Sequence, residues 1–332
     1  MSETTTAATP ALTPAVRQLA SADFSALAQR FVDAGFAVLE PAPGIITLAS
    51  NDLAVRPSVL VSVGVHGDET GPIEMLAQVL DRLAPASLAV NLMVCVGNID
   101  AIAQAKRFID ADLNRMFRAE RGALASMAEA ARADAMIVAT QAFFAKAGPQ
   151  RWHLDLHTAI RPSVYPTFAV VPDLIAEQPK AQLVHWLGQA GIGAIIMNPQ
   201  SAGTYSYYTA QHHGAAASTV ELGRVGTLGA NDLSLFADAD AALDALLRGL
   251  PAAAAVTPHV FKVAQEIIKQ SDAFTMAFGR ETENFTALDA GEVIATDGAT
   301  TWRVGPMPER VVFPNPDVRV GLRAGLMVVR TA

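Results

Sequence analysis

The chain has 332 residues, enough for one large domain or two moderate ones and for a core that encloses a recessed site. Hydrophobic residues make up 51% and charged residues 17%, which excludes a disordered composition, and a single cysteine excludes an internal disulfide framework. The net charge of -8 argues against a broad phosphate-binding surface, so no nucleic-acid partner is expected, although a cationic pocket can coexist with an acidic surface.

Residues 1–20 are rich in Thr, Ala and Pro at their start and read as a loosely attached arm. That start has neither a basic n-region nor an apolar h-region, and no apolar run approaches the ~20 residues of a membrane span. A cytoplasmic protein with no membrane partner is the expectation. A helix-like segment from Ser21 to about Ala34 precedes a short apolar run, Ser58 to Val65, suited to a buried strand. His66 stands at its exit. Helical spacing of Ile73, Leu76, Ala77 and Leu80 then runs to Leu83.

Val90 to Val96 predicts a second strand, followed by a polar segment with Asn98, Arg107, Asp110, Asp112, Asn114 and Arg115, then an Ala-rich helical region to about Ala147. In Trp152 to His157 apolar and polar residues alternate, with Trp152, Leu154 and Leu156 on one face and His153, Asp155 and His157 on the other. Gln182 to Ala190 and Asp232 to Leu250 read as helices, Ile192 to Met197 and Ala216 to Glu221 as strands. The alternation predicts an α/β fold over residues 21–250, a mixed, largely parallel sheet covered by helices, with ligands gathering at strand carboxyl ends. After the linker-like PAAAAVTP, residues 251–332 carry short β-like runs and turn signals, which predicts a small C-terminal β-rich domain.

The chemistry concentrates in Gly64-Val65-His66-Gly67-Asp68-Glu69-Thr70, where a histidine and a carboxylate leave a buried strand three residues apart. Catalytic zinc commonly takes three nitrogen or oxygen ligands and keeps a position for water, His₂Glu being one such set. His157, at another strand exit, is the candidate third ligand. His185, His212, His213 and His259 read as ordinary structural or surface histidines. A rival set of His153, Asp155 and His157 spans too far along one strand at about 3.3 Å per residue to close round an ion. Asp155 suits an orienting role and His153 a structural one. Cys95, with no accompanying His or Asn motif, reads as a small buried hydrophobe. Tyr205, Tyr207 and Tyr208 fit a pocket edge or a packed helix start equally well.

His66-Gly-Asp-Glu69, Asp112-Leu-Asn114-Arg115-Met-Phe117 and Asp155-Leu-His157-Thr-Ala-Ile-Arg161, in that order, resemble the desuccinylases of the aspartoacylase/desuccinylase branch of the zinc carboxypeptidase superfamily. Phe313-Pro-Asn-Pro316 and Gly321-Leu-Arg-Ala-Gly325 extend the resemblance, which runs from about Val55 to the C-terminus. It implies one zinc per chain on His66, Glu69 and His157, with Glu221 in Thr219-Val-Glu-Leu-Gly223 as the catalytic carboxylate. It further implies that Arg107, Asn114 and Arg115 contact a small anionic N-acyl amino acid, Arg107 being a catalytic candidate that either shares the amino-acid carboxylate with Arg115 or stabilises the oxyanion. Arg161 is a further candidate for a substrate carboxylate, because a guanidinium offers a planar fork. Each arginine has the alternative of a structural pair with a nearby acid. The implied reaction is hydrolysis of N-succinyl-L-glutamate to succinate and L-glutamate, in arginine catabolism. An aspartoacylase-like or other N-acyl-amino-acid deacylase is the alternative enzyme, and a zinc-containing metabolite-binding protein the non-enzyme alternative. Oligomeric state, including a homo-oligomer, is left open.

Overall fold

The computed structural model describes residues 11–50 and 56–331. Two short helices, Pro14–Ala20 (α1) and Ser25–Asp33 (α2), precede strands Ala37–Ala42 (β1) and Ile45–Ala49 (β2). Then follow Ser58–Val63 (β3), Gly71–Arg82 (α3), Asn91–Val96 (β4), Ile99–Ala103 (α4) and Glu129–Ala145 (α5). Arg151–Ala159 (β5), Thr167–Pro172 (β6), Glu177–Gln189 (α6), Ala194–Asn198 (β7), Tyr205–His213 (α7), Ala216–Arg224 (β8) and Ala237–Arg248 (α8) complete the α/β part. The remainder is strand: His259–Ile268 (β9), Thr275–Met276 (β10), Thr286–Leu288 (β11), Val293–Asp297 (β12), Thr300–Arg303 (β13), Glu309–Val312 (β14) and Arg323–Arg330 (β15).

Twelve strands form one mixed sheet in the order β1-β2-β4-β3-β5-β8-β6-β7-β9-β15-β14-β11, and β10-β12-β13 form a second. At the heart of the large sheet β4, β3, β5 and β8 are mutually parallel, so their carboxyl ends emerge along one edge. β3 and β4 are wholly buried, as expected of parallel strands covered on both faces. Phe31, Leu60, Ile73, Phe144 and Leu187 belong to the apolar core on this scaffold.

The N-terminal segment differs from the loose arm expected over 1–20. Thr13 accepts a hydrogen bond from the Val16 amide at 3.3 Å, and Pro14 opens a helix that buries Val16 and Leu19. Residues 1–10 of that expected arm lie outside the described residues. The antiparallel pair β1 and β2 and the strand β6 are additional to the strands predicted above. The proposed linker is pinned: the Val256 amide donates to the Gly188 carbonyl, and a Cβ on Gly188 would come within 2.4 Å of the Val256 carbonyl oxygen. Among the described residues no helix is long and apolar enough to cross a membrane.

The turn leaving β3 requires close backbone approach. Gly64 takes φ +65°, and a Cβ on Gly67 would lie 2.2 Å from the Ala101 carbonyl carbon and 2.6 Å from the Lys106 carbonyl oxygen. Gly67→Ala must therefore push backbone apart. It is expected to lower stability by about 1–3 kcal/mol, read as a lower denaturant midpoint at unchanged slope.

Candidate metal centre and active site

Three buried side chains meet at the carboxyl edge of the sheet. His66 and Glu69 lie in the turn between β3 and α3, and His157 lies near the end of β5. His66 Nδ1 is 2.8 Å from Glu69 Oε1 and His157 Nδ1 is 2.8 Å from Glu69 Oε2, so both imidazoles turn the same ring nitrogen to one carboxylate. One ligand atom from each of the three lies within 4.8 Å of the others, and the group could hold a metal ion.

The far nitrogens face carboxylates as well. His66 Nε2 is 2.9 Å from Asp112 Oδ1, and His157 Nε2 is 3.0 Å from Asp155 Oδ2. Burial opposes charge on His157, but Asp155 and Glu69 overcome it and raise the imidazole well above its usual value. Burial likewise opposes ionisation of Glu69, and His66 and His157 hold that carboxyl well below its usual range. The field of the cluster favours positive charge between these groups. The donor set and that field fit a divalent ion with nitrogen and oxygen ligands.

Glu221 lies beside this group without joining it. β5 and β8 pair in parallel with His157 in register with Glu221, so both side chains leave the same face of adjacent strands. Burial first, and then the Glu69 charge, push the Glu221 carboxyl up to about 7, and its Oε2 is buried without a hydrogen-bond partner.

Arg107 reaches the centre from the polar segment. Its Nη1 donates to Glu69 Oε1 at 2.7 Å, and its Nη2 lies 3.2 Å from His66 Nε2. Glu129 shapes that segment: its buried carboxylate accepts from the amides of Ile109 at 2.6 Å and Ala111 at 3.1 Å and from Asn98 Nδ2 at 3.2 Å. Asn114 is buried and accepts from the Tyr205 amide at 2.9 Å through Oδ1, while Arg115 is partly exposed and lies 3.7 Å from Asp112 Oδ2. Arg161 turns elsewhere. Its Nε donates to the Arg280 carbonyl at 2.6 Å, and its electrostatic neighbours are Glu281, Arg280 and Asp317, none of them a member of the cluster.

Of the tyrosines, Tyr205 is fully buried, stacked on Phe117 and 2.5 Å from the Thr140 hydroxyl, while the Tyr208 hydroxyl accepts from Gln141. Tyr207 donates to the Pro199 carbonyl. Cys95 is a buried thiol pushed by burial up to about 11. Among His153, Asp155 and His157, only His157 enters the three-residue group, as the strand rise requires. Two residues beside the site had no assigned role in the sequence reading. Asp112 had a local signal, its place in the Asp112-Leu-Asn114-Arg115 run. Arg323 on β15 lies in the Gly321-Leu-Arg-Ala-Gly325 run that extends the resemblance, but nothing local tied it to the site, because it arrives from the C-terminal strands; burial, with Arg115 nearby, brings its guanidinium down to about 10.

A family model described as succinylglutamate desuccinylase/aspartoacylase catalytic domain matches residues 55–247, and one described as AstE/AspA barrel-sandwich hybrid domain matches residues 256–331. The chain is 46% identical over 288 residues to a succinylglutamate desuccinylase of Burkholderia orbicola, covering 85% of this chain and 84% of that protein. A Burkholderia thailandensis protein of the same name is 46% identical over 280 residues, covering 82% and 80%. The crystal structure of succinylglutamate desuccinylase from Vibrio cholerae superposes with a TM-score of 0.82 at 32% identity, covering 89% of this chain and 90% of that one. Murine aminoacylase 3, at 18% identity and a TM-score of 0.55 over 85% and 97% of the two chains, shares the fold.

The Glu129 carboxylate holds the amides behind Arg107, so Glu129→Ala is expected to cost roughly 2 kcal/mol, in the range of hydrogen bonds to a charged acceptor. Despite its burial, those amides and Asn98 lower its pKa, so its stabilisation is present above the ordinary value of 4.5 and fades as pH falls. Denaturation curves of the parent and Glu129→Ala at neutral and acid pH should converge on acidification; a constant gap would refute this account.

Proposed function

Because the chain belongs to the succinylglutamate desuccinylase/aspartoacylase family, we propose that it hydrolyses the amide bond of N-succinyl-L-glutamate to give succinate and L-glutamate. The substrate assignment rests on the relatives at 46% identity that carry that name. The observation that carries the chemistry is the convergence of His66, Glu69 and His157 beside Glu221, whose Oε2 is buried without a hydrogen-bond partner. A step of arginine breakdown and a cytoplasmic setting belong to the same proposal, as does division of the chain into a catalytic part to about residue 250 and a C-terminal β part.

His66, Glu69 and His157 are the residues that would hold one zinc ion. Such an ion supplies Lewis-acid chemistry, lowering the pKa of water and polarising the scissile carbonyl. Glu221 takes the proton from the attacking water and returns it to the departing amine nitrogen. Burial and the Glu69 charge raise the Glu221 carboxyl, the direction that suits a group that must both take up a proton and give it back.

The substrate carries three carboxylates, and the arginines at the site answer them. Arg115 with Asn114 is assigned to the amino-acid carboxylate, and Arg323, paired with Glu266 at 3.4 Å, lies within electrostatic reach of Arg115 from the C-terminal strands. Arg107 steadies Glu69, and its partly exposed guanidinium is assigned to stabilising the oxyanion. No substrate role is assigned to Arg161, which is engaged with the Arg280 carbonyl.

Glu221→Gln is expected to retain bound zinc and lower kcat by about 10²–10⁴-fold, since the amide cannot accept the proton. Parent-like turnover in the zinc-replete variant would remove Glu221 from this role. His66→Ala is expected to lose zinc by elemental analysis, and unchanged metal content would overturn the ligand set. A panel of N-succinyl and N-acetyl amino acids decides the substrate: dominant succinate release supports the proposal, and dominant acetate release would replace it with an aspartoacylase-like activity.

A further inference from the structure

Behind the centre lies a line of buried polar groups that the reaction does not use. The face of β5 carrying His153, Asp155 and His157 is as buried as its apolar face, and each of these three residues is at most 1% exposed. Asp155 is the critical member, because an ionised carboxylate taken fully out of water is costly unless its oxygens are paired. Ser62 stands beside Asp155 on β3, in register, and its hydroxyl donates to Asp155 Oδ1 at 2.5 Å. Ser62 Oγ lies 2.9 Å from His153 Nε2, and His153 Nδ1 lies 2.8 Å from Thr209 Oγ1 on α7.

The proton directions follow from the end of the line. The Asp155 carboxylate can only accept, so the Ser62 hydroxyl hydrogen points to it. The Ser62 oxygen then accepts from His153 Nε2–H, which leaves Nδ1 bare in the neutral ring, facing a Thr209 hydroxyl whose one hydrogen is divided between this nitrogen and the Ser206 carbonyl at 2.9 Å. Burial holds His153 neutral, pulling its imidazole down to about 4. The edge of the His153 ring also packs against Tyr205, with centroids 4.5 Å apart, so the ring has little freedom to turn.

We infer that Ser62 and His153 are positioning residues for His157: the Thr209, His153, Ser62 line fixes the Asp155 carboxylate, which in turn holds the His157 ring with Nδ1 towards Glu69. This rests on the metal-centre reading above and extends it two residues further from the ion. Removing the Ser62 hydroxyl frees one Asp155 oxygen to rotate, and the imidazole it aims at loses its fixed orientation.

The test is zinc affinity by chelator competition, measured on folded protein together with kcat and thermal midpoint. Ser62→Ala removes one oxygen, and His153→Leu removes the donor to Ser62. Both are expected to weaken zinc binding by about tenfold to a hundredfold. His153→Gln, whose amide N–H can replace Nε2–H, should keep affinity within about threefold of the parent. Because both residues act through one carboxylate, the Ser62→Ala, His153→Leu double variant should lose little more than either alone. Unmoved zinc affinity in Ser62→Ala, fully additive losses, or His153→Gln as weak as His153→Leu would overturn the inference. If Ser62→Ala does not fold, the Gln and Leu pair at His153 decides alone. A parent chain that takes up no zinc overturns both this and the metal centre, whereas tight parent binding with unmoved variants overturns the positioning role only.

Discussion

The Glu69 carboxylate is the group on which the site depends. It is buried, and it sits between two imidazoles at 2.8 Å while also accepting from Arg107 and from the Thr158 amide at 3.1 Å. An isolated charge in that position would be driven neutral; the cationic and N–H partners keep it ionised and thereby give the cluster a field that favours a cation. Each partner comes from a different part of the chain: the turn after β3, the polar segment before α5, and the end of β5. The fold is what assembles them, because parallel β3 and β5 are neighbours and end on the same side.

Around that centre the structure separates orientation from chemistry. Asp112 and Asp155 face the outer nitrogens of the two histidines, leaving both Nδ1 atoms turned inward. Glu221 is the counter-example, a carboxyl among acids with one oxygen unpaired and an elevated pKa. Two carboxyls so close, one held ionised and one pushed towards neutrality, receive opposite protonation from their surroundings. The loop that delivers Arg107 is itself fastened by Glu129, so the cationic wall of the site is built by a buried acid more than a dozen residues further along the chain.

The C-terminal strands are structurally continuous with the α/β part. β9 pairs in parallel with β7, and β15 pairs antiparallel with β9, so the large sheet runs through the boundary between the two matched family regions. That continuity carries Arg323 into the electrostatic reach of Arg115 and Asp112.

The local pattern of the sequence was enough to place His66 and Glu69 at a strand exit, to set His157 at another, and to predict alternating strands and helices, because chain-local spacing governs which face and which end of an element a residue occupies. The motif resemblance singled out Glu221, Arg107 and Arg115 as candidates beyond what spacing could say. Tertiary structure decided the rest: that β3, β5 and β8 are adjacent, that the polar face of β5 is buried against Ser62 and Thr209, that Arg161 leans towards Arg280, and that Arg323 returns from the far end of the chain. Those facts depend on which strands pair, a long-range choice made by sheet packing that no window along the sequence contains.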